Sequence, residues 1–144
     1  IDDLRTEALF APEFVEAIVR RAQRFQAATG ISYELDAQLP DNLLLPSTVS
    51  LHARRAVAEM LENVARHAEA TTVWLRLHLA DRCLLIEVED DGVGFNAKAA
   101  VRPGHYGIIG LKERARLTGG QFSIESAPEN GTTVQLRLPL EKTA

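Results

Sequence analysis

Cysteine is almost missing from this chain: Cys83 is the only one in 144 residues. That excludes a disulfide framework and a cysteine-built zinc site, and it suits a reducing compartment. Long apolar runs are missing too. No stretch could span a bilayer, and the opening IDDLRTEALF lacks the pattern of a signal peptide. There is no excess of basic charge. Lys and Arg number 16 against 20 Asp and Glu, a formal net charge of −4, which argues against nucleic acid as the main partner. The chain has no G-x-x-x-x-G-K-[ST] phosphate loop, no G-x-G-x-x-G after a strand and no EF-hand spacing, so the commonest nucleotide and calcium motifs are excluded. Internal repeats and low-complexity runs are also lacking. What is present is 46% hydrophobic and 25% charged, the composition of a globular domain. The length suits one domain with its own core. The first residue is Ile, not Met, so we expect a piece of a longer polypeptide.

Hydrophobic period divides the chain into elements. Phe14, Ile18, Ala22 and Phe25 recur at helical spacing, with Arg20, Arg21 and Arg24 on the other side, predicting a helix over 12–25 that ends before Gly30. Residues 31–35 read as a strand and 36–50 as a loop holding Pro40 and Pro46. A second helix is expected over 52–69, with an apolar stripe of Val57, Met60, Leu61, Val64 and Ala68. Strict alternation marks strands over 72–79 and 83–89, joined at Ala80-Asp81-Arg82. Phe122 and Ile124 mark another strand, Val134, Leu136 and Leu138 the last, with Pro128-Glu129-Asn130-Gly131 as their turn. One wet face per strand, hairpins and three helices together predict an α+β fold. It is a two-layer sandwich with a mixed, mostly antiparallel sheet covered on one face by three helices.

Three motifs could carry chemistry. The second helix places Glu59, Asn63, Arg66 and His67 on a polar stripe beside the apolar one. Asn is a poor residue for a helix interior, but its amide oxygen suits Mg²⁺ that also holds phosphate oxygens and waters. Arg66 could face phosphate, and Glu59 could hold a metal-bound water or accept a proton. The same four residues also fit an ordinary solvated helix face. Next, an apolar strand ends in Asp90-Asp91-Gly92-Val93-Gly94. A buried carboxylate there needs a hydrogen-bond donor, which a purine's exocyclic amine could supply, while Gly92 lets a base approach. An Asp-Gly turn is the plainer alternative. Third, Gly107-Ile108-Ile109-Gly110-Leu111 opens a helix, where N–H groups and the helix dipole favour phosphate. Between the second and third motifs, residues 95–106 have no period and contain Pro103-Gly104, so they are expected to be a mobile loop.

In this order the motifs resemble the ATP-binding domain of bacterial sensor histidine kinases. LENVARHAEA is similar to the family's N box, EDDGVGF to its G1 box and GIIGLKERARLTGG to its G2 box, with Gly131-Thr132-Thr133 as a last glycine box. The likeness covers roughly residues 12–140 and points to a subgroup with N-x-x-x-H-A and a short lid. It implies a Bergerat-type sandwich binding ATP and Mg²⁺. Asn63 would bind the metal, with Glu59 as the acidic group four residues earlier that activates water. Arg66 and His67 would line phosphates and ribose. Asp90 would accept the adenine amine, with Gly92 and Gly94 shaping the pocket and Thr132 or Thr133 reaching Asp90. Gly107, Gly110 and Leu111 would support the triphosphate under a lid of residues 95–106. Leu111 stands where the subgroup often has Met, and Ala58 where Gln is frequent.

The family's phosphoacceptor is a His followed by an acidic residue. The histidines here precede Ala53, Ala68, Leu79 and Tyr106, so the acceptor is expected elsewhere, on a dimerisation domain of the same protein. Residues 1–11 would end the connection from it, leaving 12–144 as the ATPase domain. The implied function is transfer of the γ-phosphate to that histidine in two-component signalling, with a response regulator as the later partner. The fragment is expected to be monomeric and cytoplasmic, its parent a homodimer that could be anchored in the bacterial inner membrane. An anti-sigma-factor-like serine kinase and a degenerate nucleotide-sensing module are the alternatives. Trp74 and Cys83 read as packing residues and His78 as a strand-surface residue.

Overall fold

The computed structural model describes residues 8–94 and 108–141. The chain begins with β1 (Leu9–Phe10) and α1 (Ala11–Thr29), then β2 (Ser32–Gln38), β3 (Leu44–Leu45) and α2 (Ser47–Asn63). A π-helical turn (Val64–Ala68) extends α2. There follow β4 (Thr72–Ala80), β5 (Cys83–Asp90), α3 (Ile108–Thr118), β6 (Gln121–Ser126) and β7 (Thr132–Pro139). Five strands form one sheet in the order β2-β4-β5-β7-β6, and β1 pairs with β3 in a separate ribbon. Only β2 and β4 run parallel, with α2 in the connection between them. The expected α+β sandwich with a mostly antiparallel sheet and three helices is what the structure shows.

Alternation in the strands sets the two layers. Val73, Leu75 and Leu77 of β4, Leu84, Ile86 and Val88 of β5, and Val134, Leu136 and Leu138 of β7 are all buried. They meet Phe14, Ile18, Ala22 and Phe25 of α1, Val57, Met60 and Leu61 of α2, and Leu111 and Ala115 of α3 in one core. The outer face is polar. There Arg76 Nη1 lies 2.6 Å from a Glu87 oxygen and 2.8 Å from one of Glu89, joining neighbouring strands.

Three boundaries differ from the sequence-based expectation. Helix α1 runs on to Thr29, where the Gly30 N–H donates to the Gln26 carbonyl at 2.8 Å from a left-handed φ of +77°. Strand β2 continues to Gln38 because its pairing with β4 continues, Gln38 opposite His78. Helix α2 starts at Ser47, inside the expected loop, because Pro46 caps it instead of interrupting it. The hairpin between β4 and β5 turns on Asp81 and Arg82 alone, both with positive φ, as a two-residue turn matching the strand twist demands.

Candidate functional site

The inward phase of β5 places the first functional side chain. Leu84, Ile86 and Val88 point into the core, and two residues on the same phase reaches Asp90. A carboxylate therefore stands at a core position, only 6% exposed. Burial pushes its pKa above the usual carboxylate range. The Gly92 N–H, which donates to Oδ1 at 2.8 Å, and the Thr132 amide pull the other way and do not cancel the shift. Thr132 is opposite Asp90 in the antiparallel ladder and shares the inward phase of Val134 and Leu136. Its hydroxyl lies 2.7 Å from that of Ser126. Thr133 is out of phase, opposite Glu89, and belongs to the other face of the sheet.

Asp91 has the opposite environment. It is exposed, and its carboxylate takes the Thr71 hydroxyl at 2.6 Å and the Thr71 and Thr72 amides at 2.8 and 3.0 Å. These bonds, the Thr71 hydroxyl first, hold its pKa below the usual range. So the doublet divides its work: Asp90 enters the cleft, and Asp91 fastens the turn leading into β4.

The cleft beside Asp90 spans about 420 Å³ when the open solvent at its mouth is counted. Met60, Asn63, Val64 and His67 form the α2 side, and Val88, Asp90, Thr132, Val134 and Ile124 the sheet side. Gly94 and Ile108 stand at its ends. Asn63 and His67 are one turn apart across the junction where α2 becomes a π-turn, a bulge frequent at functional sites. Gly94 needs its glycine: φ is +65°, and a Cβ there would lie 2.0 Å from the Ala127 carbonyl oxygen. Gly92 is buried beside Asp90, and its N–H makes the bond to Oδ1.

The structure brings together Asn63, His67, Asp90, Gly94 and Thr132, and puts other expected residues elsewhere. Arg66 is exposed and pairs with Glu62 at 2.5 Å, outside the cleft lining. Leu111 is fully buried in the main core. Gly107 and the expected lid, residues 95–106, lie outside the described residues. Gly110 sits in the first turn of α3 and faces Glu59: a Cβ there would come 3.3 Å from Glu59 Oε2.

Glu59 meets a partner that sequence reasoning did not assign. Arg114 Nη2 of α3 donates to Glu59 Oε1 at 2.5 Å, and Nη1 lies 3.4 Å from His52 Nδ1. His52 has its pKa lowered, by burial first and then by the charges of Arg114 and Arg55. Among the described residues, Glu59 Oε2 is buried with no hydrogen-bond partner. The signal was available, because Arg114 lies four residues after Gly110, on one face of a helix. Nothing in the sequence alone says that this face meets α2.

A family model described as histidine kinase-, DNA gyrase B-, and HSP90-like ATPase matches residues 48–142. The chain belongs to this ATPase family. Residues matched include α2, the cleft and every strand from β4 onward. Among relatives, an uncharacterized sensor-like histidine kinase of Chloroflexus aurantiacus is 39% identical over 107 residues, covering 70% of this chain and 18% of that protein. The sensor histidine kinase YdfH of Bacillus subtilis is 32% identical over 128 residues, covering 88% and 31%. The chain thus spans between about a fifth and a third of these relatives' lengths. Among solved structures, the catalytic domain of histidine kinase ThkA superposes with a TM-score of 0.73 at 11% identity, covering 93% of this chain and 95% of that one. At that identity the likeness speaks for the fold, and it is the fold of a histidine kinase catalytic domain.

Proposed function

We propose that this ATPase-family domain binds Mg-ATP and donates the γ-phosphate to a histidine on a separate dimerisation domain of its own polypeptide, for passage to a response regulator. The observation that carries the reading is Asp90, a carboxylate kept at an inward strand position in the same cleft as Asn63. Its remaining acceptor capacity matches the exocyclic amine of adenine. Met60, Val64, Val88, Ile108, Ile124 and Val134 supply apolar walls for the rings. The names of the kinase relatives support transfer to a protein histidine over the other chemistries of the family.

The donor chemistry fits a magnesium ion carried on the nucleotide. Asn63 offers one neutral oxygen in the cleft, and Mg²⁺ is commonly held by one or two protein oxygens plus phosphates and waters. The ion, when bound, neutralises charge on the transferring phosphoryl group. His67 would serve the ribose or phosphates, and Arg66, once reoriented from Glu62, the phosphates. Gly110 and the helix dipole at the first turn of α3 would serve the triphosphate. Glu59 would take up the proton or orient the attacking group, and Arg114 keeps its carboxylate in place. The work of the chain is then positioning and charge neutralisation. The stretch before α1 would lead from the acceptor domain, on the cytoplasmic side of any membrane anchor of the parent. No helix among the described residues is itself long and apolar enough to cross a membrane.

Calorimetry with ATP and GTP tests the pocket. Guanine presents a carbonyl oxygen where adenine has its amine. An unpaired buried polar group costs about 1–3 kcal/mol, so ATP should bind roughly 5- to 150-fold more tightly. Equal affinities would overturn the assignment of Asp90.

A further inference from the structure

A concentration of positive charge lies away from the nucleotide cleft. Helices α1 and α2 bound an open groove of about 1220 Å³, counting the solvent at its mouth. Five arginines line it, Arg20, Arg21 and Arg24 from α1 and Arg54 and Arg55 from α2, and no lining residue is acidic. The whole chain carries −4, so this positive groove runs against its overall charge. The floor is apolar and made largely of alanine, with Ala17 and Ala27 on one helix and Ala58 on the other. Small side chains at a two-helix crest let a third helix approach closely, and arginines on both rims present planar forks to carboxylates.

We infer that this groove docks an acidic amphipathic helix of a partner polypeptide, with its small or apolar face on the alanine floor and its carboxylates between the two arginine rims. Charge and shape both favour that occupant. A nucleic acid brings a phosphate charge about every 1.7 Å toward a molecule of net negative charge. No aromatic side chain lines the groove for base stacking. A lipid surface would call for large apolar residues beside the cations. Among the described residues, the exposed large hydrophobics are Phe10, Leu44, Val93, Ile109 and Leu117, and none of them lines the groove. Arg54 Nε reaches the Ser50 carbonyl at 3.4 Å, and Arg20 pairs with Glu16 at 3.1 Å, so those two are already oriented along their helices. Arg20, Arg24 and Arg55 are all exposed, and of these Arg24 on α1 and Arg55 on α2 stand on opposite helices of the groove.

The test uses the whole chain and a fluorescent amphipathic peptide with alanine and leucine on one face and glutamates on its flanks. Anisotropy titration at low salt should give saturable binding. Binding should weaken by roughly tenfold or more in the double variant Arg24→Glu, Arg55→Glu. ATP affinity should be unchanged in that variant, which shows that it folds. The isomer with lysine in place of glutamate should not bind, and Arg24→Lys, which keeps the charge but loses the planar fork, should weaken binding less than Arg24→Glu. Unaltered peptide binding by the double variant would overturn the inference. So would displacement of the peptide by millimolar inorganic phosphate, or tighter binding of single-stranded DNA or phosphatidylglycerol vesicles.

Discussion

Two adjacent aspartates show how position decides chemistry. Asp90 and Asp91 differ by one step of strand phase. Burial raises the pKa of the first, while three hydrogen bonds from Thr71 and Thr72 lower that of the second. Their linkage to folding has opposite signs. A carboxyl with a raised folded pKa binds its proton more tightly in the native state, so its contribution falls as pH rises through that raised value. One with a lowered folded pKa contributes above its unfolded pKa and loses that contribution as pH falls through the folded value. Burying the ionised form of Asp90 therefore works against folding as pH rises. Asp90→Asn keeps an oxygen for the Gly92 N–H and removes the buried charge, while setting an amide donor against the adenine amine. The free protein should melt no lower than the parent, and ATP affinity should fall by about 1–3 kcal/mol. Thermal denaturation and calorimetry on the same samples check both halves. A lower melting temperature with intact ATP affinity would mean that the carboxylate is structural. Asp91→Ala should do the reverse, losing stability in urea melts near neutral pH with little change in the intrinsic preference for ATP over GTP. The Glu59–Arg114 pair yields a third residue-scale prediction. Arg114→Gln should lower phosphoryl transfer in the assembled kinase more than it lowers ATP affinity, and it should change the pH profile of the transfer rate. A parallel loss of affinity and rate with an unchanged profile would reduce Arg114 to a packing residue.

At the scale of elements, the cleft depends on a turn that only glycine can make. Gly94 follows β5 with φ of +65°, and its α-carbon backs onto the Ala127 carbonyl in the β6–β7 turn. Gly131, at φ +70°, does the same against the Asp90 carbonyl, where a Cβ would lie 2.2 Å away. The two glycines thus pack the end of β5 against the last hairpin and fix where Asp90 points. The left-handed backbone alone costs a non-glycine residue about 1–2 kcal/mol, and the steric overlap adds to it. Gly94→Ala should therefore destabilise the domain by at least that amount in urea denaturation and also weaken ATP. Wild-type stability and affinity would show that this turn adapts freely. Much of this was legible in the sequence because strand alternation and turn chemistry are local. The inward phase of Leu84, Ile86 and Val88 runs straight on to Asp90, and the glycine turn follows at once. Thr132 and Thr133 stay open as alternatives in the sequence, and the strand pairing, Thr132 opposite Asp90, separates them. What was not legible was tertiary. Residues 36–50 read as loop because two prolines punctuate them, yet β2 extends to Gln38 by pairing with β4, and α2 begins directly after Pro46. Glu59 read as a cleft residue from its stripe on α2, but its engagement by Arg114 depends on how α3 crosses α2. Leu111 sits in a glycine motif, yet it is held in the core by the same crossing.

At the scale of the whole molecule, the nucleotide cleft and the arginine groove are different surfaces of one helical layer. The cleft uses the end of α2 that carries Asn63, while the groove uses Arg54, Arg55 and Ala58 with the outer side of α1. On the proposed function, the chain holds its nucleotide alone and needs a separate acceptor domain to complete the transfer. Four histidines are present, and none is followed by an acidic residue. The described cleft contains one of them, His67, which sits beside Asn63 at the close of α2. Binding and transfer should therefore separate experimentally. With Mg-ATP at about 100 times its dissociation constant, the chain should gain roughly 2.7 kcal/mol of stability. For a domain of this size that is a rise of roughly 5–15 °C in melting temperature, and it should be much smaller with GTP. Radiolabelled ATP should leave no acid-labile phosphate on the chain by itself. Adding the dimerisation domain of its parent should produce labelling on that domain. Asn63→Asp should abolish the labelling without unfolding the protein, because a charged carboxylate at the proposed metal position changes both the ligand and the local repulsion on the triphosphate. Efficient self-labelling of the chain alone would move the acceptor into it. Unimpaired transfer by Asn63→Asp would move the metal site off α2, and with it the assignment of the cleft.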